Sequence, residues 1–156
     1  MIAIEIPGFK VLKLEHLVMD YNGTLACDGE LVSGVKERLK RLSKKLSIHI
    51  ITADTFGKVK KAFEDTDFIV KIMPKEDQAV GKLNYINQLG ADKCVCIGNG
   101  RNDRLMLEKA ALGIAVMLKE GTSKETLMAA DVFIQDILDA LDLLENPLRL
   151  VATLRS

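Results

Sequence analysis

Leu17-Val18-Met19-Asp20-Tyr21-Asn22-Gly23-Thr24 decides the fold, because an apolar run ends on a carboxylate and passes at once into a glycine turn. Such a run reads as a buried strand, and the turn brings backbone amides close to Asp20. Two further runs end in the same manner. His49-Ile50-Ile51-Thr52 delivers a hydroxyl and continues into Ala53-Asp54-Thr55, the expected start of a helix whose free amides favour an anion. Val95-Cys96-Ile97-Gly98 continues into Asn99-Gly100-Arg101-Asn102-Asp103, delivering an amide and a carboxylate. A helix expected over Pro74 to Gly90 carries Lys75, Gln78 and Lys82 on one face at i, i+3 and i+7. Ligands of parallel sheets collect outside the carboxyl ends of the strands, so these groups are expected around one hollow.

Working outward, strand-like runs are expected at 16–20, 47–52, 68–73, 93–98, 113–117 and 131–134, with amphipathic helices between them. Alternation of this kind predicts an α/β fold, a three-layer Rossmann-like core with a central parallel sheet. The clearest helix is Val35 to Leu46, whose Val35, Leu39, Leu42 and Leu46 form one stripe, with Ser33 expected as its cap. Cys27-Asp28-Gly29-Glu30 reads as the tip of a small hairpin, since Asp-Gly suits a tight turn. Residues 1–14 read as an N-terminal β-hairpin appendage turned by Pro7-Gly8, and residues 137–154 as helix broken near Asn146-Pro147. The whole of 1–156 is then a single domain, in line with a length of 156 residues.

Lys plus Arg and Asp plus Glu balance at 22 each, which leaves no electrostatic footprint for nucleic acid. No apolar run approaches the roughly 20 residues of a membrane span, and Met1 to Lys10 has no signal-peptide pattern. Three cysteines make an odd count, and Cys94 and Cys96 are two apart in one strand, out of bonding geometry. A cytoplasmic location with buried thiols is therefore expected.

The ordered series Asp20-Tyr21-Asn22-Gly23-Thr24, Ile51-Thr52 and Gly98-Asn99-Gly100-Arg101-Asn102-Asp103 resembles the first, second and fourth motifs of the haloacid dehalogenase-like superfamily. Within it, the wording is closest to the small proteins called soluble P-type ATPases. The resemblance implies a Mg²⁺-dependent phosphohydrolase or phosphoryl-transfer domain in which Asp20 attacks phosphorus and becomes an aspartyl-phosphate. It implies that Thr52 holds the phosphoryl oxygens, with Gly23, Thr24, Ala53, Asp54 and Gln78 around the substrate. Mg²⁺ would be held by Asp20, the Asn22 backbone carbonyl, Asn99 and Asp103. The implied partner is a small phosphorylated substrate or a nucleotide.

Departures from the family pattern shape the expectation. The usual second acid of the first motif is Asn22, and the first acid of the fourth is Asn99. Neither amide shuttles a proton at neutral pH, so a general acid–base contribution of roughly 10²–10⁴-fold is lost or comes from water. Substrates with good leaving groups are favoured over sugar alkoxides. The family spacing puts Gln78 where a lysine is usual; Lys82 lies one turn on and, since helical side chains lean toward the amino end, takes that role here, with Lys75 as its rival. With only two carboxylates left, metal binding weaker than in members with all four acids is expected. Spacers of 31 residues between Asp20 and Thr52 and 25 between Thr52 and Gln78 leave no room for a cap domain. An open site and, by resemblance, a homo-oligomer follow.

Blander readings stand beside these. His16 and His49 read as packed or edge histidines, Lys58, Lys60 and Lys61 as a solvated face, and Arg101 as a loop arginine. Asp54 reads equally as a helix cap. Two alternatives to an enzyme remain: a catalytically impaired module that binds phosphate or nucleotide, and an oligomeric scaffold.

Overall fold

The computed structural model describes residues 1–53 and 58–156. The chain opens with β1 (Ile2–Glu5) and β2 (Val11–Leu14), an antiparallel hairpin. Its turn follows from Pro7-Gly8: Pro supplies φ near −65°, Gly8 takes φ 75°, and the Phe9 amide bonds the Ile6 carbonyl at 3.0 Å. After β3 (His16–Asp20) come the short β4 (Ala26–Cys27) and β5 (Glu30–Leu31), turned by Asp28 and Gly29, both with positive φ. Then follow α1 (Val35–Leu42), β6 (Ser47–Thr52), α2 (Lys58–Ala62), β7 (Ile69–Ile72), α3 (Gln78–Leu89), β8 (Cys94–Gly98), α4 (Arg104–Lys109), β9 (Leu112–Val116), α5 (Lys124–Ala129), β10 (Val132–Ile134), α6 (Ile137–Glu145) and α7 (Pro147–Leu154).

Six strands form one parallel sheet in the order β10-β9-β8-β3-β6-β7. The chain leaves β3 toward β6 and β7, then returns to the other side of β3 through β8. Strand order reverses at β3, which opens a crevice at its carboxyl end. Side chains alternate along each strand, so each face gains its own core. Leu17, Met19, Ile48 and Ile50 pack with α1, α6 and the N-terminal hairpin. Val18, Ile51, Cys94 and Cys96 pack with Ile86, Met106 and Leu107 from α3 and α4. Both cysteines are buried and free. Among the described residues no helix is long and apolar enough to cross a membrane.

Two helix boundaries differ from the sequence expectation. α1 ends at Leu42 rather than Leu46, although Leu46 stays buried through a following turn in which its amide bonds the Leu42 carbonyl at 2.9 Å. Its N-cap is Gly34 at φ 90°, not Ser33, because the chain arrives from β5 in a left-handed bend that glycine adopts without steric cost. α3 starts at Gln78 rather than Pro74, since Asp77 at φ 50° interrupts the helical path. Lys75 therefore lies outside the helix and is exposed. The strand ends at 68–73, 93–98, 113–117 and 131–134 shift by one residue.

One part-buried polar chain ties α3 to the sheet. His16 Nδ1 lies 3.2 Å from His49 Nε2, and His49 Nδ1 lies 2.8 Å from the Tyr85 hydroxyl. Burial, and then His16, hold the His49 pKa down to about 4, so His49 is neutral at physiological pH. Tyr85 sits three residues beyond Lys82, so this contact sets the seating of α3 one turn from the site.

Candidate active site

Asp20 ends the central strand, buried at 8% exposure. Its neighbours β6 and β8 end on Thr52 and Gly98, so the three expected motifs leave adjacent strands. Asp20 pairs with Ile51, which places buried Thr52 one residue on from that register. After Asp20 the chain wraps around a single carbonyl: Tyr21 O accepts the amides of Thr24, Leu25 and Ala26 at 3.2, 2.9 and 3.0 Å. The wrap turns at Gly23, φ 76°, where a Cβ would meet Asn99 Nδ2 at 2.3 Å. Only glycine satisfies both the backbone sign and the contact.

Lys82 reaches this point from α3 and is 1% exposed. Its Nζ donates to Asp20 Oδ1 at 2.7 Å and to Asp103 Oδ1 at 2.6 Å. Asp103 is fully buried, and its Oδ2 accepts the backbone amides of Asn99 at 3.0 Å and Gly100 at 2.9 Å. Gly98 makes room for it, since a Cβ there would lie 2.5 Å from Asp103 Cγ. Two carboxylates and one ammonium leave a net charge of −1 in a space nearly closed to water. Burial first, and the charge of Asp103 second, push the Asp20 carboxyl up to about 7, with Lys82 opposing them in part. Burial disfavours the charge on Lys82, but its two carboxylate partners outweigh that and hold its pKa above the usual value.

The remaining expected residues divide. Thr24 is fully buried, its hydroxyl 3.2 Å from Asn99 Oδ1 and 3.5 Å from Asp20 Oδ2. Asn99 is buried, and its Nδ2 donates to the Gly121 carbonyl at 2.9 Å. Asn22 is exposed, and Ala53 is half-buried. Gln78 lies on the rim, where Asn102 Nδ2 donates to its Oε1 at 2.5 Å. Asp54 lies outside the described residues. Arg101 is 70% exposed at its side chain and pairs with Glu125 at 3.0 Å.

Sequence reasoning missed the segment after β9. The Gly121 carbonyl and the Ser123 amide both bond Asn99, and Glu120 Oε1 accepts the Asp28 amide at 3.0 Å. Ser123 caps α5 by accepting the Thr126 amide at 3.1 Å, and the buried Thr126 hydroxyl donates to the Gly100 carbonyl at 2.6 Å. The spacing Ser123-x-x-Thr126 marks a helix start, but nothing in it points toward Asp20. Among the described residues, three His, Cys, Asp or Glu side chains bring their ligand atoms within 4.8 Å of one another at the hairpin tip, where Cys27, Asp28 and Glu120 meet. Two clefts of about 570 and 650 Å³ also lie away from Asp20. The first sits at the amino ends of β3, β6 and β7, lined by Glu15, Ser47 and Ile69, and the second lies between β2 and the ends of α3 and α4.

Comparison with known proteins gives a consistent picture. Residues 31–136 match the family model described as haloacid dehalogenase-like hydrolase, a span that starts after Asp20 and includes Thr52, Lys82, Asn99 and Asp103. An uncharacterized protein of Methanocaldococcus jannaschii is 43% identical over 82 residues, which is 50% of this chain and 88% of that protein. A second from the same organism is 49% identical over 39 residues, 25% of this chain and 89% of that protein. Among solved structures, a subfamily III A hydrolase of the haloacid dehalogenase superfamily from Legionella pneumophila superposes with TM-score 0.72 at 19% identity, covering 90% of this chain and 87% of its own. The 3-deoxy-D-manno-octulosonate 8-phosphate phosphatase of Moraxella catarrhalis, in complex with magnesium, phosphate and its sugar, superposes with TM-score 0.68 at 18% identity, covering 90% and 93%. At these identities the structures speak for the fold.

Proposed function

The chain belongs to the haloacid dehalogenase-like hydrolases, and from that premise we propose that it is a phosphohydrolase whose nucleophile is Asp20. What supports this reading above all is the pair of bonds from Lys82 to Asp20 Oδ1 and Asp103 Oδ1. Lys82 occupies one oxygen of Asp20 and leaves Oδ2 as the attacking atom. Oδ2 forms a bond to phosphorus as the bond to the leaving-group oxygen breaks, and that oxygen departs with the electron pair. Water then cleaves the aspartyl-phosphate and releases phosphate. Lys82 stays protonated throughout, supplying positive charge beside the phosphoryl oxygens, while Thr52 at the end of β6 holds one of them. Asp103 acts from behind, fixing Lys82 and the Asn99-Gly100 amides.

Asn22 and Gln78 are carboxamides and give no proton to the departing oxygen. The substrate class that suits the site is therefore a small acyl phosphate or phosphoanhydride, whose leaving group departs as a stable anion. The fold family implies Mg²⁺, and the donors suit it as an ion carried in with its substrate. Asp20 Oδ1, through the lone pair that Lys82 does not take, and the Asn22 backbone carbonyl would hold it, a set of hard oxygens with one charge, and Mg²⁺ is commonly bound by one or two carboxylates plus phosphate oxygens. Bound there, it would neutralise phosphoryl charge.

The test compares wild type with Asp20→Asn on acetyl phosphate, ATP and p-nitrophenyl phosphate, with Mg²⁺. Turnover confined to wild type, fastest on acetyl phosphate or ATP, is expected. Equal rates in both proteins would remove the proposal. Phosphate binding without turnover would replace it with a binding module.

A further inference from the structure

Asn99 is a four-way junction. Its backbone amide bonds Asp103 Oδ2 at 3.0 Å, its carbonyl accepts the Ser123 amide at 2.9 Å, its Oδ1 faces the Thr24 hydroxyl at 3.2 Å, and its Nδ2 donates to Gly121 O at 2.9 Å. The last contact needs a donor. An aspartate at this position would set a charged oxygen against the Gly121 carbonyl, and two acceptors repel. The amide orientation is thus dictated by Gly121, and it leaves Oδ1 turned to Thr24, next to Asp20. One residue earlier, Glu120 Oε1 accepts the Asp28 amide at 3.0 Å from the tip of the β4–β5 hairpin. The hairpin is held near its turn as well, where the Tyr21 hydroxyl donates to the Gly29 carbonyl at 3.2 Å. Hairpin, loop 117–123 and the turn at Gly23 therefore form one ring of bonds on one side of Asp20, and Asn99 is the buried member that closes it.

We propose that Asn99 is a positioning residue: its carboxamide pins loop 117–123 to the nucleophile turn, and the pinned loop, clasped to the 26–31 hairpin through Glu120, walls the site on that side. The inference rests on Asp20 as the nucleophile only for its catalytic consequence. The pin itself is a statement about bonds in the folded chain.

Amide hydrogen exchange in metal-free buffer tests it with wild type, Asn99→Asp and Asn99→Ala. At pH 8 both variants are expected to exchange residues 120–123 about fivefold faster than wild type, the worth of one buried hydrogen bond, with the Asp28 amide following. At pH 5 the two part. A protonated carboxyl donates to Gly121 O, so Asn99→Asp regains wild-type protection relative to intrinsic rates while Asn99→Ala does not. A loss caused by mere packing predicts the same behaviour for both at either pH, and that result would overturn the pin. Glu120→Ala, an exposed change that leaves the fold intact, is expected to release the Asp28 amide alone; release of 121–123 as well would also overturn it. If wild type turns over and Asp20→Asn does not, Asn99→Ala is expected to raise KM for p-nitrophenyl phosphate at least about threefold with kcat less affected. An unchanged KM would refute the wall. Failure of the proposed function shows up instead as equal turnover by wild type and Asp20→Asn, and leaves the exchange result standing.

Discussion

Replacing Lys82 by Met keeps most of its volume and removes the one cation from a site holding two carboxylates. The ammonium lies 2.7 Å from Asp20 Oδ1 and 2.6 Å from Asp103 Oδ1 and is 1% exposed. Breaking a buried pair leaves an uncompensated charge at a cost of about 3–5 kcal/mol. Protonation of one carboxyl limits that cost, so a loss of about 3 kcal/mol is expected at pH 8. Its pH dependence is the sharper signature. Asp20 in wild type sits at about 7 against an ordinary value of 3.8, so the folded state binds more protons than the unfolded chain, and stability falls as pH rises through 7. Half a proton on average over two pH units makes that fall about 1.4 kcal/mol between pH 6 and 8. Without Lys82 the Asp20 carboxyl is driven higher still; a proton retained across the same window costs about 2.7 kcal/mol. The gap between the proteins should therefore widen by about 1.3 kcal/mol from pH 6 to pH 8. Urea denaturation at both pH values measures it, with Lys82→Met/Asp20→Asn recovering most of the loss at pH 8. A gap below about 1 kcal/mol at pH 8, or one that narrows as pH rises, would refute the charge reasoning.

Three other outcomes follow from the same geometry. Because Asp20 attacks as a carboxylate, kcat/KM on acetyl phosphate should rise with pH along a single-proton limb centred near 7 when measured at limiting Mg²⁺, and a flat profile from 5.5 to 8.5 would count against Asp20 as nucleophile. Gly23→Ala places a Cβ 2.3 Å from Asn99 Nδ2 on a backbone at φ 76°, so it should lower stability by at least about 1–2 kcal/mol, read as a drop in thermal midpoint. Calorimetric titration should find Mg²⁺ binding weak in the free protein and tighter with inorganic phosphate present; submicromolar affinity without phosphate would contradict a site with one available charged oxygen.

Strands, helices and their alternation were legible because they depend on local patterning. The run from Leu17 to Asp20 is buried on both faces as an inner parallel strand requires, and the Asp28-Gly29 turn follows from the sign of φ that these two residues tolerate. Helix ends were less legible. Nothing before Gln78 says that Asp77 takes a left-handed conformation, so the start of α3, and with it the exclusion of Lys75, needed the fold. That Lys82 would reach Asp20 was expected from side-chain direction, since a lysine one turn late on the helix leans back toward the carboxyl ends of the strands, and its Nζ lies 2.7 Å from Asp20 Oδ1.

Order along the chain by itself determined that a carboxylate, a hydroxyl and an amide–acid pair leave the ends of three strands, because strand endings are written in composition and period. Only the tertiary structure decided what each group is bonded to. Asn99 reads in sequence as a substituted acid, yet its amide is spent on Thr24 and on Gly121, a carbonyl 22 residues away. Asp103 reads as a ligand, yet its oxygens are taken by Lys82 and two loop amides. The reason is physical: periodicity is a property of neighbours along the chain, whereas a buried polar atom takes its partner from whatever element packing brings within about 3 Å.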